Sequence, residues 1–262
     1  MGIPIRHRFD GKVVIVTGAG SGIGQATAHA FSAEGAVVYG LDIDPPGLLA
    51  TTQMTRATGG RFIALEGDVS RPEDISSTVD QVLGQSGSID ALINNAGINM
   101  AKRIADLSVD DWNRVLDTNL RSTYLFSKAV WPTFVSRAGG TIVNVASVMG
   151  QVGGVGAPAY CASKAGIIML SRCLAKDGAQ HGIRVNSVCP GYIDTHIMER
   201  ALAQSPDPMS ARRQIEGRMP LGRMGRAEEV ASGIVFLSSD DAAYISGTEL
   251  TIDGAVTATQ ID

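Results

Sequence analysis

Cysteine is scarce in this chain, and clusters of metal-binding side chains are lacking. The 262 residues include three cysteines and four histidines, and no Cys-x-x-Cys pair occurs. An odd number of scattered cysteines indicates neither a disulfide framework nor a zinc cluster. We expect free thiols in a reducing compartment. We also predict no bound metal, because no group of His, Asp and Glu has ligand spacing.

Excess positive charge and long apolar runs are also lacking. The formal net charge is −4 at pH 7, which gives no electrostatic reason to expect a nucleic acid or an anionic membrane as a partner. No uninterrupted apolar stretch is long enough to cross a bilayer, and residues 1–12 lack the apolar segment of a secretory signal. We therefore expect a cytoplasmic protein that acts on a small molecule.

The chain does contain a regular alternation of strand-like and helix-like segments. Apolar residues make up 44 % of the sequence, and short apolar runs recur along its whole length. This alternation is typical of βαβ units around a buried parallel sheet, which is the doubly wound α/β fold. Strands are predicted at residues 12–17, 36–41, 61–66, 89–93, 140–146, 184–189 and 249–252.

The segments between these strands predict helices, with one exception. Residues 192–226 are polar and irregular, and we interpret them as a substrate lid. Ser70 and Glu73 have the spacing of a capping box, and Pro132 is a candidate helix break. No repeat or linker divides residues 1–262, so one domain is expected. Helices are predicted at residues 25–34, 46–58, 70–85, 108–137, 158–181 and 227–237.

A glycine-rich turn, residues 17–24, separates the first predicted strand from the first helix. In open α/β folds a dinucleotide binds at this position. Gly18 allows a tight turn, Gly22 lets backbone N–H groups approach a pyrophosphate, and Gly24 lets the helix pack closely on the strand. The helix N-terminus adds partial positive charge. Taken alone, the stretch is also compatible with an ordinary strand–helix turn.

Acidic residues end the second and third predicted strands. Asp42 is placed to accept hydrogen bonds from an adenosine ribose, and its charge would repel a 2′-phosphate. Residues 21, 43 and 44 are Ser, Ile and Asp, so no cation stands nearby. The pattern predicts NAD rather than NADP, although a strand-end Asp also caps turns. Asp68 and Val69 are candidates to bind the adenine ring.

Tyr160 and Lys164 are the candidate catalytic pair. They are four residues apart on a predicted helix and so lie on one face. An ammonium group beside a phenol favours the phenolate, which is a suitable base for an alcohol. Ser147 ends the fifth strand at the same sheet edge, where its hydroxyl can hold a substrate oxygen. The pair alone also fits a solvated helix face. Asn119 is a candidate to hold a water or a backbone group that links Lys164 to solvent.

These motifs, in this order, resemble the short-chain dehydrogenase/reductase superfamily in its compact single-domain branch. The resemblance spans residues 8–256. It implies a Rossmann-type sheet of seven parallel strands with helices on both faces, and commonly a homotetramer. The motifs that carry it are residues 17–24, Asp68, residues 94–97, Asn119, Ser147, Tyr160 with Lys164, and Pro190 with Gly191.

The resemblance implies a catalytic tetrad of Asn119, Ser147, Tyr160 and Lys164. Tyr160 and Lys164 would also bind the nicotinamide ribose, and Ile193 and Thr195 the carboxamide. Together the motifs and the resemblance assign the NAD site to Gly18, Ser21, Gly22, Ile23, Gly24, Asp42, Asp68, Val69, Asn95, Ala96, Gly97, Tyr160, Lys164, Pro190, Gly191, Ile193 and Thr195.

The expected activity is hydride transfer between NAD(H) and a small secondary alcohol or carbonyl compound, with a polyol, sugar or hydroxy compound as the guess. One alternative is an NADP-dependent 3-oxoacyl reductase. Another is a non-catalytic NAD-sensing or scaffold protein, although both Tyr160 and Lys164 are present. Arg212, Arg213 and Arg218 are candidates to bind an anionic substrate. The alternative is that they lie on a solvated helix face.

Overall fold

The computed structural model describes residues 7–203 and 205–258, and these contain nine strands. Seven form one parallel sheet, and two form a separate short pair. The strands are β1 (Val13–Thr17), β2 (Val37–Asp42), β3 (Arg61–Glu66), β4 (Ala91–Asn94), β5 (Gly140–Val145), β6 (Ile183–Pro190), β7 (Ile193–Asp194), β8 (Gly225–Arg226) and β9 (Glu249–Ile252). The sheet order is β3-β2-β1-β4-β5-β6-β9, and β7 pairs with β8.

Helices follow most strands. They are α1 (Gly22–Ala33), α2 (Pro45–Ala57), α3 (Pro72–Ser86), α4 (Val109–Leu116), α5 (Ser122–Ser136), α6 (Pro158–Gly178), α7 (His196–Ala203), α8 (Pro208–Glu216) and α9 (Ala227–Ser238). A π-turn, Asp117–Arg121, joins α4 to α5. In the described part of the chain, no helix has the length and apolarity needed to span a membrane.

The hydrophobic core lies on both faces of the sheet, so every residue of strand β1 is buried. Val14 and Val16 pack with Phe31 of α1 and with α9, whereas Ile15 packs with Phe126 on the α5 side. Continuous apolar strands of this kind are what a doubly wound sheet requires. The predicted fold class is confirmed, and the carboxyl ends of all seven strands meet at one edge.

Three local predictions are wrong. Residues 192–226 are not irregular, since they contain β7, α7, α8 and β8. Ser70 does not cap α3: its hydroxyl donates to Asp68 Oδ1 at 2.7 Å, and Arg71 precedes the helix instead. Pro132 lies inside α5 without ending it. The predicted helix over residues 108–137 is interrupted instead at the π-turn. There the hydroxyls of Ser122 and Thr123 donate to backbone carbonyls four residues earlier.

Candidate active site

The glycine turn is shaped by contacts that exclude side chains. Gly18 and Gly22 have φ angles of +67° and +53°, which favour glycine. A Cβ on Gly24 would lie 1.9 Å from the carbonyl oxygen of Gly18. Only glycine at position 24 therefore lets α1 approach the turn this closely. Ser21 lies exposed just before α1, and Ile23 packs on the core. This cradle is open to the approach of a pyrophosphate.

The end of β4 is tied directly to this turn. Asn95 Nδ2 donates to the carbonyl oxygens of Thr17 at 2.9 Å and Gly18 at 3.1 Å. The Thr17 hydroxyl accepts from the backbone N–H groups of Asn95 at 3.0 Å and Ala96 at 3.1 Å. Asn95 and Thr17 therefore fix the two strand ends that flank the predicted dinucleotide. Thr17 was absent from the predicted site residues.

The carboxylate of Asp42 lies against the glycine turn. Its Oδ2 accepts from the Gly20 N–H at 2.8 Å, and its Oδ1 accepts from the Asp44 N–H at 3.0 Å. Among the described residues, no ion pair neutralises Asp42 or Asp44. Two uncompensated carboxylates beside the turn suit a ribose hydroxyl and oppose a 2′-phosphate.

Asp68 and Val69 follow β3 at the same edge. Asp68 Oδ1 accepts from the backbone N–H and the hydroxyl of Ser70, at 2.8 and 2.7 Å. Val69 is buried and packs with the core on that side of the sheet. The structure therefore places both residues beside the carboxyl edge, as the adenine assignment requires.

The segment after β6 folds back onto the glycine turn. A Cβ on Gly22 would lie 3.3 Å from Thr195 Cγ2, so the Thr195 side chain sits over the turn. Pro190 and Ile193 are buried, and the Gly191 N–H donates to the carbonyl of Ile252 at 3.0 Å. The predicted nicotinamide contacts thus lie opposite the predicted pyrophosphate cradle.

Lys164 is buried, and within the described residues its ammonium group forms one hydrogen bond. Its side chain is 3 % exposed, and Nζ donates to the carbonyl oxygen of Val145 at 2.7 Å. Burial lowers the pKa of Lys164 to about 8. Nζ lies 5.5 Å from the centroid of the Tyr160 ring. A Cβ on Gly97 would lie 3.5 Å from Nζ, which places Gly97 beside the lysine.

Tyr160 and Ser147 form the hydroxyl pair of the site. Burial raises the pKa of Tyr160, whereas its hydrogen bond to the Ser147 side chain opposes this by lowering it. The predicted stabilisation of the phenolate is therefore not visible in the Tyr160 pKa, because the effect of burial outweighs that of Ser147. Ser147 Oγ also accepts from the Met149 N–H at 3.1 Å, which orients the hydroxyl.

Asn119 lies in the π-turn, but its side chain does not contact Lys164. Asn119 Oδ1 accepts from the Ile98 N–H at 2.8 Å, and Nδ2 donates to the Ile98 carbonyl at 2.9 Å and to Ser163 Oγ at 3.0 Å. The amide therefore holds the backbone of the loop after β4 and braces helix α6. The link from Lys164 to solvent stays a prediction. Ser163 was absent from the predicted site; its signal was a hydroxyl one residue before Lys164.

The predicted lid arginines fall into two groups. Arg212 on α8 forms ion pairs with Asp194 of β7 and, at 3.1 Å, with Glu216. Its charge is thus compensated within residues 192–226. In the described part of the chain, the side chains of Arg213 and Arg218 form no hydrogen bond or ion pair. The side chain of His196 lies outside the described residues. No group of three candidate metal ligands occurs where the chain is described.

Comparisons with known proteins agree with this geometry. The family model described as enoyl-(acyl carrier protein) reductase matches residues 18–257. The 3-oxoacyl-[acyl-carrier-protein] reductase of Thermotoga maritima is 38 % identical over 95 % of this chain and 99 % of the relative. The meso-2,3-butanediol dehydrogenase of Serratia marcescens is also 38 % identical, over 96 % of both chains.

Solved structures of the same architecture superpose closely. A crystal structure described as a short-chain dehydrogenase/reductase from Burkholderia xenovorans has a TM-score of 0.94 at 34 % identity, covering 97 % of this chain and 99 % of that one. The crystal structure of levodione reductase has a TM-score of 0.93 at 32 % identity, covering 96 % of this chain and all of that one.

Proposed function

This chain belongs to the short-chain dehydrogenase/reductase superfamily of nicotinamide-dependent oxidoreductases, and we propose that it transfers a hydride between NAD(H) and a small secondary alcohol or ketone. One observation carries the proposal. The Ser147 side chain is close enough to Tyr160 to lower its pKa, and the buried Lys164 Nζ lies 5.5 Å from the Tyr160 ring centroid, at the edge of the sheet that holds the glycine turn.

The chemistry of the residues follows from their positions. The Ser147 hydroxyl holds the substrate oxygen, and Tyr160 takes the hydroxyl proton of an alcohol or returns it to a carbonyl. A nicotinamide ring, when bound, supplies the hydride acceptor or donor. Lys164 places a cation near the Tyr160 ring and so favours its phenolate. A buried Tyr160 whose pKa is raised by desolvation depends on this positive charge to act as a base near neutral pH.

The preference for NAD rests on Asp42 and Asp44. Their carboxylates have no cationic partner among the described residues, so a 2′-phosphate would meet uncompensated negative charge. Asp42→Ser removes one charge and should raise the ratio of NADPH to NADH turnover by about tenfold or more, the equivalent of about 1.4 kcal/mol. Asp80→Ser, on the exposed side of α3, is the charge-matched control. An unchanged ratio in Asp42→Ser would contradict the assignment.

The name of one relative favours a second candidate, an NADP-dependent 3-oxoacyl reductase. The two carboxylates beside the turn speak against the phosphorylated cofactor. Reduction of a 3-oxoacyl thioester by NADPH, faster than oxidation of any simple alcohol by NAD, would select this alternative. Tight NADH binding with no turnover across a carbonyl panel would instead favour the sensing or scaffold protein.

The substrate is proposed to be small, with an apolar portion beside its carbinol carbon. Val152, Val155 and Tyr192 are exposed on the loops that follow β5 and β6, at the carboxyl edge of the sheet. A vicinal diol such as the one named in the butanediol relative has this character and also fits the expectation of a hydroxy compound. The sugar and polyol guesses stay predictions.

A homotetramer belongs to the same proposal, as does a cytoplasmic location. Tyr124 of α5 and Met169 of α6 are large apolar side chains that remain exposed, at 44 % and 54 %. Light scattering tests the assembly, and a monomeric mass would refute it.

The decisive experiment is a spectrophotometric panel of diols, secondary alcohols, sugars and hydroxy acids with NAD and with NADP. Tyr160→Phe should reduce kcat to less than about 1 % of wild type, since proton transfer by a positioned side chain contributes about 10²–10⁴-fold. Tyr244→Phe, a fully exposed tyrosine, serves as the matched control. Substantial residual activity in Tyr160→Phe would refute the mechanism.

A further inference from the structure

Ser163 occupies the point where three parts of the site meet. It lies on α6 between Tyr160 and Lys164 and is fully buried. Its Oγ accepts a hydrogen bond from Asn119 Nδ2 at 3.0 Å and donates one to the carbonyl oxygen of Tyr160 at 2.8 Å. One side of this hydroxyl thus contacts the π-turn, and the other contacts the first turn of α6.

The partner of Ser163 is itself immobilised. The Asn119 amide is bonded to both the N–H and the carbonyl of Ile98, in the loop that follows β4. That loop continues from Gly97, where a Cβ would lie 3.2 Å from Asn119 Oδ1 and 3.5 Å from Lys164 Nζ. The Ser163 hydroxyl therefore connects the Tyr160 backbone to Asn119, whose amide is fixed by the Ile98 backbone in the loop beside Lys164.

Close backbone approaches hold α6 from two sides. A Cβ on Gly166 would lie 2.7 Å from Leu120 Cδ2 of the π-turn. On the other side, a Cβ on Gly150 would lie 2.7 Å from the backbone carbon of Lys164. Ser163 supplies the polar link of the first contact. Without its hydroxyl, Asn119 Nδ2 loses a buried acceptor, and the first turn of α6 is free to move relative to the π-turn.

We propose that Ser163 is a positioning residue, which fixes the first turn of α6 on Asn119 and thereby sets Tyr160 and Lys164 at their working distance from Ser147. The inference rests on the proposed hydride transfer. It predicts a larger loss in kcat than in cofactor affinity, because Tyr160 and Lys164 supply only part of the proposed cofactor contacts, whereas the proposed proton transfer depends on the placement of both.

Helix α6 also provides a matched control. Ser171 is equally buried; its Oγ accepts from Asn144 Nδ2 at 2.8 Å and donates to the carbonyl of Ile167 at 2.7 Å. Ser163→Ala and Ser171→Ala therefore delete the same pair of bonds, one to a buried asparagine amide and one to a carbonyl of α6. They differ in that Ser171 lies about three turns beyond Tyr160 and about two turns beyond Lys164.

The experiment compares the two variants in urea unfolding and in steady-state kinetics with the best substrate of the panel. Both should lose similar stability. Ser163→Ala should lose about tenfold or more in kcat with a smaller rise in the KM for NAD, since small misplacements of reacting groups are costly. Ser171→Ala should keep kcat within about twofold, because sites that share no partners couple by less than about 0.5 kcal/mol. Equal kcat losses in both variants, or a normal kcat in Ser163→Ala, would overturn the proposal.

A spectroscopic titration gives a readout that does not depend on turnover. Tyrosinate absorbance of the protein with NAD, taken as the difference from Tyr160→Phe, reports the titration of Tyr160. Ser163→Ala should raise its midpoint by about 0.5 pH unit or more, because the Ser147 hydrogen bond that favours the phenolate weakens. Ser171→Ala should leave it in place. If wild type turns over neither cofactor, the proposed function fails, and an identical midpoint in both variants still refutes the role of Ser163.

Discussion

Replacing Gly24 by alanine tests how tightly the glycine turn is built. The added Cβ would lie 1.9 Å from Gly18 O and 2.5 Å from Asn95 Nδ2, and the first of these atoms is backbone. Helix α1 must then move away from β1, at a packing cost of about 3 kcal/mol. The better helix propensity of alanine returns about 1 kcal/mol. The net loss of about 2 kcal/mol lowers Tm by roughly 4–8 °C in a chain of this size.

Gly84 of α3 is the control for this substitution. A Cβ there would meet nothing within 4 Å, so Gly84→Ala should raise Tm slightly, by about 2 °C. NADH binding, followed by fluorescence, should weaken about tenfold or more in Gly24→Ala and stay unchanged in Gly84→Ala, since only the first moves the turn and Asn95. A Gly24→Ala protein with wild-type Tm and wild-type NADH affinity would refute this description of the turn.

Three further outcomes follow from the same contacts. Burial lowers the pKa of Lys164 from 10.5 to about 8, so the folded protein holds this proton less well than the unfolded chain. Lys164→Met should therefore be more stable than wild type near pH 7, by about 3 kcal/mol, with the difference falling between about pH 8 and pH 10.5. A difference independent of pH in urea unfolding would contradict this. Asp194→Asn should leave Tm nearly unchanged, because the exposed pair with Arg212 contributes at most about 1 kcal/mol, but proteolysis within residues 195–224 should accelerate; an unchanged cleavage rate would count against the contact. Iodoacetamide should alkylate the exposed Cys173 in the folded protein and Cys189 only after unfolding, since Cys189 is buried and its pKa is raised to about 12; equal labelling of both in the folded state would be inconsistent with this burial.

The sequence predicted the fold well because its signals are local. Buried parallel strands require continuous apolar runs, so β1 and β5 were predicted to within one residue of the bounds that the structure has. Glycines at fixed spacing identified the turn after β1, because the backbone there has positive φ angles and close contacts that only glycine tolerates. The signal failed where competing partners decide, as with Ser70, which bonds to Asp68 instead of capping α3.

Residues 192–226 show a second kind of failure. Their polar composition resembles that of an irregular loop, but α7 and α8 form there, and β7 pairs with β8 across a long separation in sequence. Pairing between distant segments leaves little periodicity in either one. Arg212 was likewise open to two interpretations until α8 placed it beside Asp194.

The sequence by itself determined which residue types stand at the edge of the sheet. The positions of Asp42 and Ser147 at strand ends, and of Tyr160 and Lys164 on the helix after β5, could be read from the sequence. Their side chains are of the types that the proposed hydride transfer requires. Only the tertiary structure decided how they interact. The bracing of Asn119 by Ile98 and Ser163, and the burial that raises the pKa of Tyr160 while lowering that of Lys164, arise from segments far apart in the chain. Desolvation depends on what surrounds a group in three dimensions, and sequence spacing carries no measure of it.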